Sequence, residues 1–218
     1  MFKQASPFSI YHSALVEKIM IDGKRLRKEI LSKRDELGQD EIRTKSEIIA
    51  RSLLSEEVIR EARTLFIYVN FRSEVETMWL IKQLIMANKT VSVPRTVPRE
   101  KRLEIVTITD PETELVPGYC GIPEPRSELL SSRSIAVEEI DVVILPGSVF
   151  DHRCGRFGYG GGYYDRLLAS IPKASRIALA FELQVVEKLP LKAHDERLDC
   201  IITENRHIRC SRVPARRR

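Results

Sequence analysis

Four short runs of apolar and β-branched residues constrain this chain more than any other feature: Thr64-Leu65-Phe66-Ile67-Tyr68-Val69-Asn70, Asp141 to Pro146, Arg176 to Phe181, and Cys200 to Thr203. The first is apolar without alternation, as expected of a strand covered on both faces rather than one with a wet side. Covering elements are legible around these runs. Thr77 to Ala87 and Tyr163 to Ala169 read as helices, and Thr90 to Pro94 and Leu103 to Ile108 as further strands. Upstream, Leu26, Ile30 and Leu37 recur at helical spacing before Gly38, read as a C-terminal stop. A second helix is expected from Asp40, as N-cap, to about Leu54, with Ile42, Ile48, Ile49 and Leu53 turned inward. Strands alternating with helices predict an α/β fold, a three-layer sandwich with a mostly parallel sheet in a single domain. Thr64 to Pro94 forms a βαβ unit within it, and its crossover should be right-handed.

Composition narrows the class further. With 218 residues, 43% of them hydrophobic, the chain can bury a sizeable core without disulfides. Its four cysteines (Cys120, Cys154, Cys200 and Cys210) show no C-x-x-C pair, so reduced thiols are expected. His152 and Cys154 stand two apart without the second ligand pair of a zinc site. No apolar run reaches the roughly 18 residues of a membrane span, and the first twenty residues lack a signal-peptide pattern. A monomeric cytoplasmic protein that engages no membrane is therefore expected. The formal charge is +5, and much of the surplus lies in Arg206 to Arg218. That tail reads as a solvated end, with nucleic-acid binding through it as the alternative. The expected division is an N-terminal extension over 1–23, an α/β domain over 24–205 and a basic tail over 206–218.

The chemistry concentrates in Arg156-Phe157-Gly158-Tyr159-Gly160-Gly161-Gly162-Tyr163-Tyr164-Asp165. Four glycines in five positions remove the Cβ atoms that keep an anion away from backbone N–H groups. The helix that opens at Tyr163 adds its N-terminal donors and dipole, and Arg156 adds positive charge. The loop follows the strand that ends at Pro146, and ligands of open α/β sheets bind beyond such carboxyl ends. The missing Gly-Lys-Ser/Thr ending excludes a Walker A loop, and Tyr163 breaks the dinucleotide spacing G-x-G-x-x-G. Asp165, in the first helical turn, either complements the helix dipole or holds a divalent cation against phosphates, with Asp195 as its candidate partner. Glu74 follows another strand end, where it is either a surface acid or a reader of ligand polar groups. Tyr163 and Tyr164 are adjacent on a helix and point in different directions, so both are not expected to bury.

Several segments occur in order: Leu26-Arg27-Lys28-Glu29-Ile30, Glu74-Val75-Glu76-Thr77, Val93-Pro94-Arg95, Gly121-Ile122-Pro123-Glu124-Pro125, Leu145-Pro146-Gly147 and the glycine–tyrosine loop. Together they resemble the 5-formyltetrahydrofolate cyclo-ligase family, over about Lys24 to Glu204. The resemblance implies an enzyme that uses Mg2+ and ATP to convert 5-formyltetrahydrofolate, with or without a polyglutamate tail, to 5,10-methenyltetrahydrofolate, releasing ADP and phosphate. It implies that Arg156, Phe157, Gly158, Tyr159, Gly160, Gly161, Gly162, Tyr163 and Tyr164 wrap ATP. Arg27 would join them from the first helix, Arg156 and Tyr163 would be catalytic, and Asp165 and Asp195 would hold the magnesium. Val69, Glu74 and Tyr163 would contact the folate, the Glu74 carboxylate suiting the pterin's N–H donor edge. One departure stands out, because the family usually has a lysine where this chain has Gly23. Lys24 from a frayed first turn, or the pair Lys24 and Lys28, are the candidate replacements. A non-catalytic paralogue that binds nucleic acid is the alternative.

Overall fold

The computed structural model describes residues 23–191 and 195–211. Helix α1 covers residues 23–35, followed by α2 (Gln39–Leu54), α3 (Glu57–Glu61), β1 (Thr64–Ile67), α4 (Met78–Met86), β2 (Thr90–Val97) and β3 (Arg102–Ile108). A short α5 (Pro111–Glu114) leads to a hairpin of β4 (Leu115–Pro117) and β5 (Pro123–Pro125), then α6 (Leu130–Arg133). After β6 (Val142–Leu145) come β7 (Val149–Asp151), β8 (Arg156–Phe157), α7 (Tyr163–Ser170), β9 (Ser175–Leu179), β10 (Val185–Val186), β11 (Cys200–Ile202) and β12 (His207–Arg209).

The main sheet has the order β12-β11-β9-β6-β1-β2-β3 and is parallel except at its two edge strands. From β1 the chain moves one way to β2 and later returns to the other side of β1 with β6, so the order reverses between β1 and β6. A crevice at such a switch point, beyond the strand carboxyl ends, is where this architecture binds ligands.

The unalternating runs are explained by two cores. Leu65, Ile67, Val142 and Ile144 face one side with Ile49 and Leu53 of α2 and Leu80 and Leu84 of α4. Phe66, Val143 and Leu145 face the other side with Leu167 and Leu168 of α7. Successive strand side chains point to opposite faces, so a strand buried on both must be apolar throughout. Phe66 is fully buried, and Phe66→Ala would cost about 3–5 kcal/mol.

Some local expectations are corrected. Gly38 is extended (φ −68°, ψ 151°) and is itself the N-cap of α2. Asp40 therefore lies in the first turn, where its charge complements the dipole. Ile42, Ile49 and Leu53 are buried, but Ile48 falls off the stripe and is exposed. Cys154 and Cys210 form a disulfide, contrary to the expectation of four reduced thiols. The pairing follows from β12, which is strand rather than loose tail: His207–Arg209 pairs antiparallel with β11 and brings Cys210 to Cys154. Arg206 is ion-paired with Glu182, and Arg209 with Glu56 at 2.7 Å. That part of the basic segment is thus folded and partly neutralised. Residues 1–22 and 212–218, which hold the rest of the expected extension and tail, lie outside the described residues. Among the described residues no helix is long and apolar enough to cross a membrane.

Candidate active site

The glycine loop hangs from a small sheet of order β10-β7-β8, which has no counterpart in the sequence reading. Asp151, fully buried, organises the turn between β7 and β8. It accepts from the backbone N–H groups of Arg153 (3.0 Å), Gly155 (2.8 Å) and Leu189 (2.9 Å), and from Arg153 Nη2 (2.7 Å). Burial raises the Asp151 carboxyl, but these donors outweigh it and hold it below the ordinary aspartate value. From that anchor Arg156 enters the site almost fully buried, pairing through Nη2 with Asp165 Oδ1 at 2.8 Å. Its guanidinium lies 5.7 Å from the Tyr164 ring.

The glycines are there for space and conformation. Gly160 (φ 99°) and Gly162 (φ 67°) adopt left-handed backbone, and Gly162 is the N-cap of α7. A Cβ on Gly161 would stand 2.6 Å from the Tyr163 ring. Arg166 clamps the loop from α7, donating from Nη2 to the Gly161 carbonyl (2.7 Å) and from Nε to the Lys101 carbonyl (2.6 Å). The Ser148 hydroxyl adds a bond to the Phe157 carbonyl at 2.9 Å. Tyr163 and Tyr164 diverge as expected. Tyr164 packs between the two cores, where burial drives its phenol far above the ordinary value, while Tyr163 lies under the Arg166 guanidinium at 5.6 Å.

Helix α1 meets the loop through Arg27, whose guanidinium sits 5.2 Å from the Phe157 ring. Lys24 and Lys28 are exposed, so neither takes the buried place beside the loop. A Cβ on Gly23 would touch the same Phe157 ring at 3.4 Å, so Phe157 occupies the volume beside that position. The Nε atoms of Arg27 and Arg156 are buried and lack a hydrogen-bond partner among the described residues. Unsatisfied buried donors on cations are costly, and an anionic ligand is what would complete them.

Across the switch point, the segment after β1 carries Glu74. The Tyr68 hydroxyl donates to the Val75 carbonyl (2.9 Å), and Asn70 and Thr77 exchange two hydrogen bonds of 3.0 Å, closing the loop over 68–77. Glu74 is buried and accepts from Phe71 N–H on Oε2 (2.9 Å) and from the Tyr159 hydroxyl on Oε1. Burial lifts its carboxyl above the ordinary glutamate value, opposed by those two donors and by Arg34. Val69, expected against the folate, is buried in the core behind this loop.

Arg34 was missed by the sequence reading. It is buried and donates from Nε to Ser73 Oγ (3.1 Å) and from Nη1 to the Tyr159 hydroxyl (2.8 Å). The signal was available: a cation at position 34 continues the stripe Leu26, Ile30, where a buried side chain is due. Asp195, the second expected metal acid, is half-buried in the segment leading to β11. Among the described residues no three His, Cys, Asp or Glu side chains cluster to hold a metal, and Cys154 is committed to its disulfide.

Fold and site together define an α/β protein with a glycine loop, flanked by two arginines, facing a buried acid at a sheet switch point. The comparisons make the class specific. The profile of the 5-formyltetrahydrofolate cyclo-ligase family matches residues 20–204, and the chain belongs to that family. Two relatives are named 5-formyltetrahydrofolate cyclo-ligase. One, from Haemophilus influenzae, is 33% identical over 138 residues, covering 62% of this chain and 73% of the relative. The other, from Escherichia coli (strain K12), is 32% identical over 147 residues, covering 66% and 80%. The solution structure of Aquifex aeolicus 5,10-methenyltetrahydrofolate synthetase superimposes with a TM-score of 0.76 at 28% identity, covering 90% of this chain and 96% of that one. The chain is thus an enzyme, a ligase of folate metabolism.

Proposed function

We propose that the enzyme converts 5-formyltetrahydrofolate to 5,10-methenyltetrahydrofolate, with ATP as the co-substrate that is split to ADP and phosphate. The observation that carries this reading is the meeting at one switch point of an anion cradle with unsatisfied arginine donors and a buried carboxylate. The formyl group is an amide, and its oxygen leaves poorly until it is phosphorylated. The formyl oxygen attacks the γ-phosphorus and ADP departs, leaving a phosphorylated imidate on N5. N10 then bonds to the formyl carbon and gives up its proton to solvent, closing the ring, and the C–O bond breaks to release phosphate.

The protein mainly positions two ligands and offsets phosphate charge. The backbone donors of 158–162 and the guanidinium groups of Arg156 and Arg27 cradle the phosphates, and Tyr163 stands between the two ligands. Glu74 orients the pterin ring. Asp165 and Asp195 are the acids that would hold a hard cation, which takes one or two carboxylates plus phosphate oxygens. Magnesium held there would neutralise charge on the transferring phosphoryl group. Arg156, now paired with Asp165, would then turn to the phosphates.

The test is to incubate the protein with 5-formyltetrahydrofolate and Mg-ATP and follow the absorbance of the methenyl product. Formation of that product with matching ADP is expected. A folded sample that binds ATP yet gives no product would overturn the reading and favour the non-catalytic alternative.

A further inference from the structure

The polarity of the contacts on Tyr159 carries an inference that rests on Glu74 reading the folate ring. The Tyr159 hydroxyl accepts from Arg34 Nη1 at 2.8 Å and donates to Glu74 Oε1. One oxygen thus sits between a buried guanidinium and a buried carboxylate, as acceptor to the first and donor to the second. Tyr159 as a residue is about half exposed (49%) and directly precedes the left-handed Gly160 of the glycine loop. Its hydroxyl is therefore engaged while the residue as a whole stays open to solvent. Arg34 and Glu74, by contrast, belong to rigid surroundings: Arg34 is tied to Ser73 Oγ, Ser73 in turn donates to Asp35 Oδ1, and Glu74 is held by Phe71 N–H.

A ligand that replaced this hydroxyl without leaving either charge unpaired would have to present an acceptor beside a donor. A ring lactam has that pair, its carbonyl oxygen next to its N–H, and the pterin ring of a folate carries one. We propose that Tyr159 is a place-holder for the pterin lactam, and that Arg34 is the specificity-determining residue that receives the lactam carbonyl while Glu74 receives the N–H. When the ring arrives, Tyr159 is displaced, and the glycine loop it belongs to is released to close over ATP. The folate and nucleotide halves of the site are thereby coupled through one hydroxyl.

Three observations make this more than a convenient contact. Tyr159 is 85 residues from Glu74 in sequence and 125 from Arg34, so the bond joins the glycine loop to the segment after β1 and to the C-terminal part of α1. The carboxylate and the guanidinium are both buried, so removing the hydroxyl without a substitute leaves Glu74 Oε1 without a donor and Arg34 Nη1 with only the longer bond to the Gly147 carbonyl at 3.4 Å. The displaced residue sits on the loop proposed to wrap the second substrate, so displacement has a consequence for that substrate.

Binding of 5-formyltetrahydrofolate without nucleotide, measured by calorimetry, tests this directly. Tyr159→Phe removes the competitor and should bind the folate about 5- to 10-fold more tightly than wild type. It should also bind a non-hydrolysable ATP analogue equally well with and without folate, whereas wild type binds the analogue more tightly once folate is present. Unchanged or weaker folate binding by Tyr159→Phe, or an intact coupling factor, overturns the place-holder. Arg34→Met should lose preference for the folate over a pteridine with an amino group in place of the ring carbonyl, by about 10-fold. Equal weakening of both ligands would reduce Arg34 to a structural role and overturn its assignment. If Arg34→Met does not fold, the Tyr159→Phe measurements decide alone. Glu74→Gln is the control for the underlying reading: unchanged folate binding there would remove the pterin site itself.

Discussion

Both carboxylate oxygens of Glu74 accept a hydrogen bond from the protein itself, and the guanidinium of Arg34 beside it is engaged as well. Across β6, on the glycine-loop side, Arg156 and Arg27 each keep a buried Nε without a partner among the described residues. The contrast teaches how two polyanionic or polar ligands can share one crevice. The acid side is pre-formed and filled by a side chain of the protein itself. In the proposed reading the glycine-loop side offers a set of donors that an anion would complete. Preorganised donors aimed at developing charge are the larger catalytic contribution, because they need no rearrangement when the charge appears.

The first way to break this comparison is Arg156→Met. It removes a buried cation from the phosphate side and should lower kcat/KM by about a thousandfold in the methenyl-forming assay, in the range seen for loss of one preorganised donor. A loss under tenfold would show that the arginine serves the fold alone. Gly161→Ala comes next. Its Cβ would lie 2.6 Å from the Tyr163 ring, so the loop must shift. A displacement near 1 Å costs about a hundredfold in rate, measurable in the same assay. Arg27→Met should raise the KM for ATP by about tenfold, because a charged donor near the phosphates is lost. Lys24→Ala and Lys28→Ala should each change it less than about twofold, since exposed charges contribute little. The reverse ranking would place the replacement for the lysine absent at Gly23 on those exposed residues.

A last and smaller effect concerns stability. The Glu74 carboxyl is raised chiefly by burial, so the folded protein holds its proton more tightly than the unfolded chain. Such a group favours folding below its unfolded value and withdraws that favour as pH rises through its folded value. Glu74→Gln should therefore melt at a higher temperature than wild type at neutral pH. That advantage should fade as pH falls below the ordinary glutamate range, as thermal melts over a pH series would show.

Much of this was legible in the sequence for physical reasons. Strands buried on both faces must be apolar without a break, so β1, β6, β9 and β11 announced themselves and the parallel sheet followed. The glycine loop was legible because left-handed backbone at Gly160 and Gly162 and the Tyr163 ring against Gly161 exclude Cβ atoms at a fixed place. What was hidden depended on long-range pairing. Two-residue strands such as β8 and β10 have no periodicity to read, and β12 was masked by its charge because only Ile208 faces inward. The Cys154–Cys210 pair, 56 residues apart, follows from that strand and could not be found by spacing. Arg34 was overlooked although it interrupts an apolar stripe, because a lone cation on a charged helix is ordinarily solvated. Tyr159 looked like one more loop residue until its partners, 85 and 125 residues away, were in view.

The central claim is that the crevice has two separable halves, one for the folate and one for the nucleotide. Steady-state kinetics of Glu74→Gln and Asp165→Asn, with each substrate varied in turn, tests it most directly. Glu74→Gln should raise the KM for 5-formyltetrahydrofolate by more than about tenfold and leave that for ATP within a factor of two. Asp165→Asn should do the opposite, weakening Mg-ATP use and sparing the folate. Equal, small changes in both constants from both variants would contradict the account.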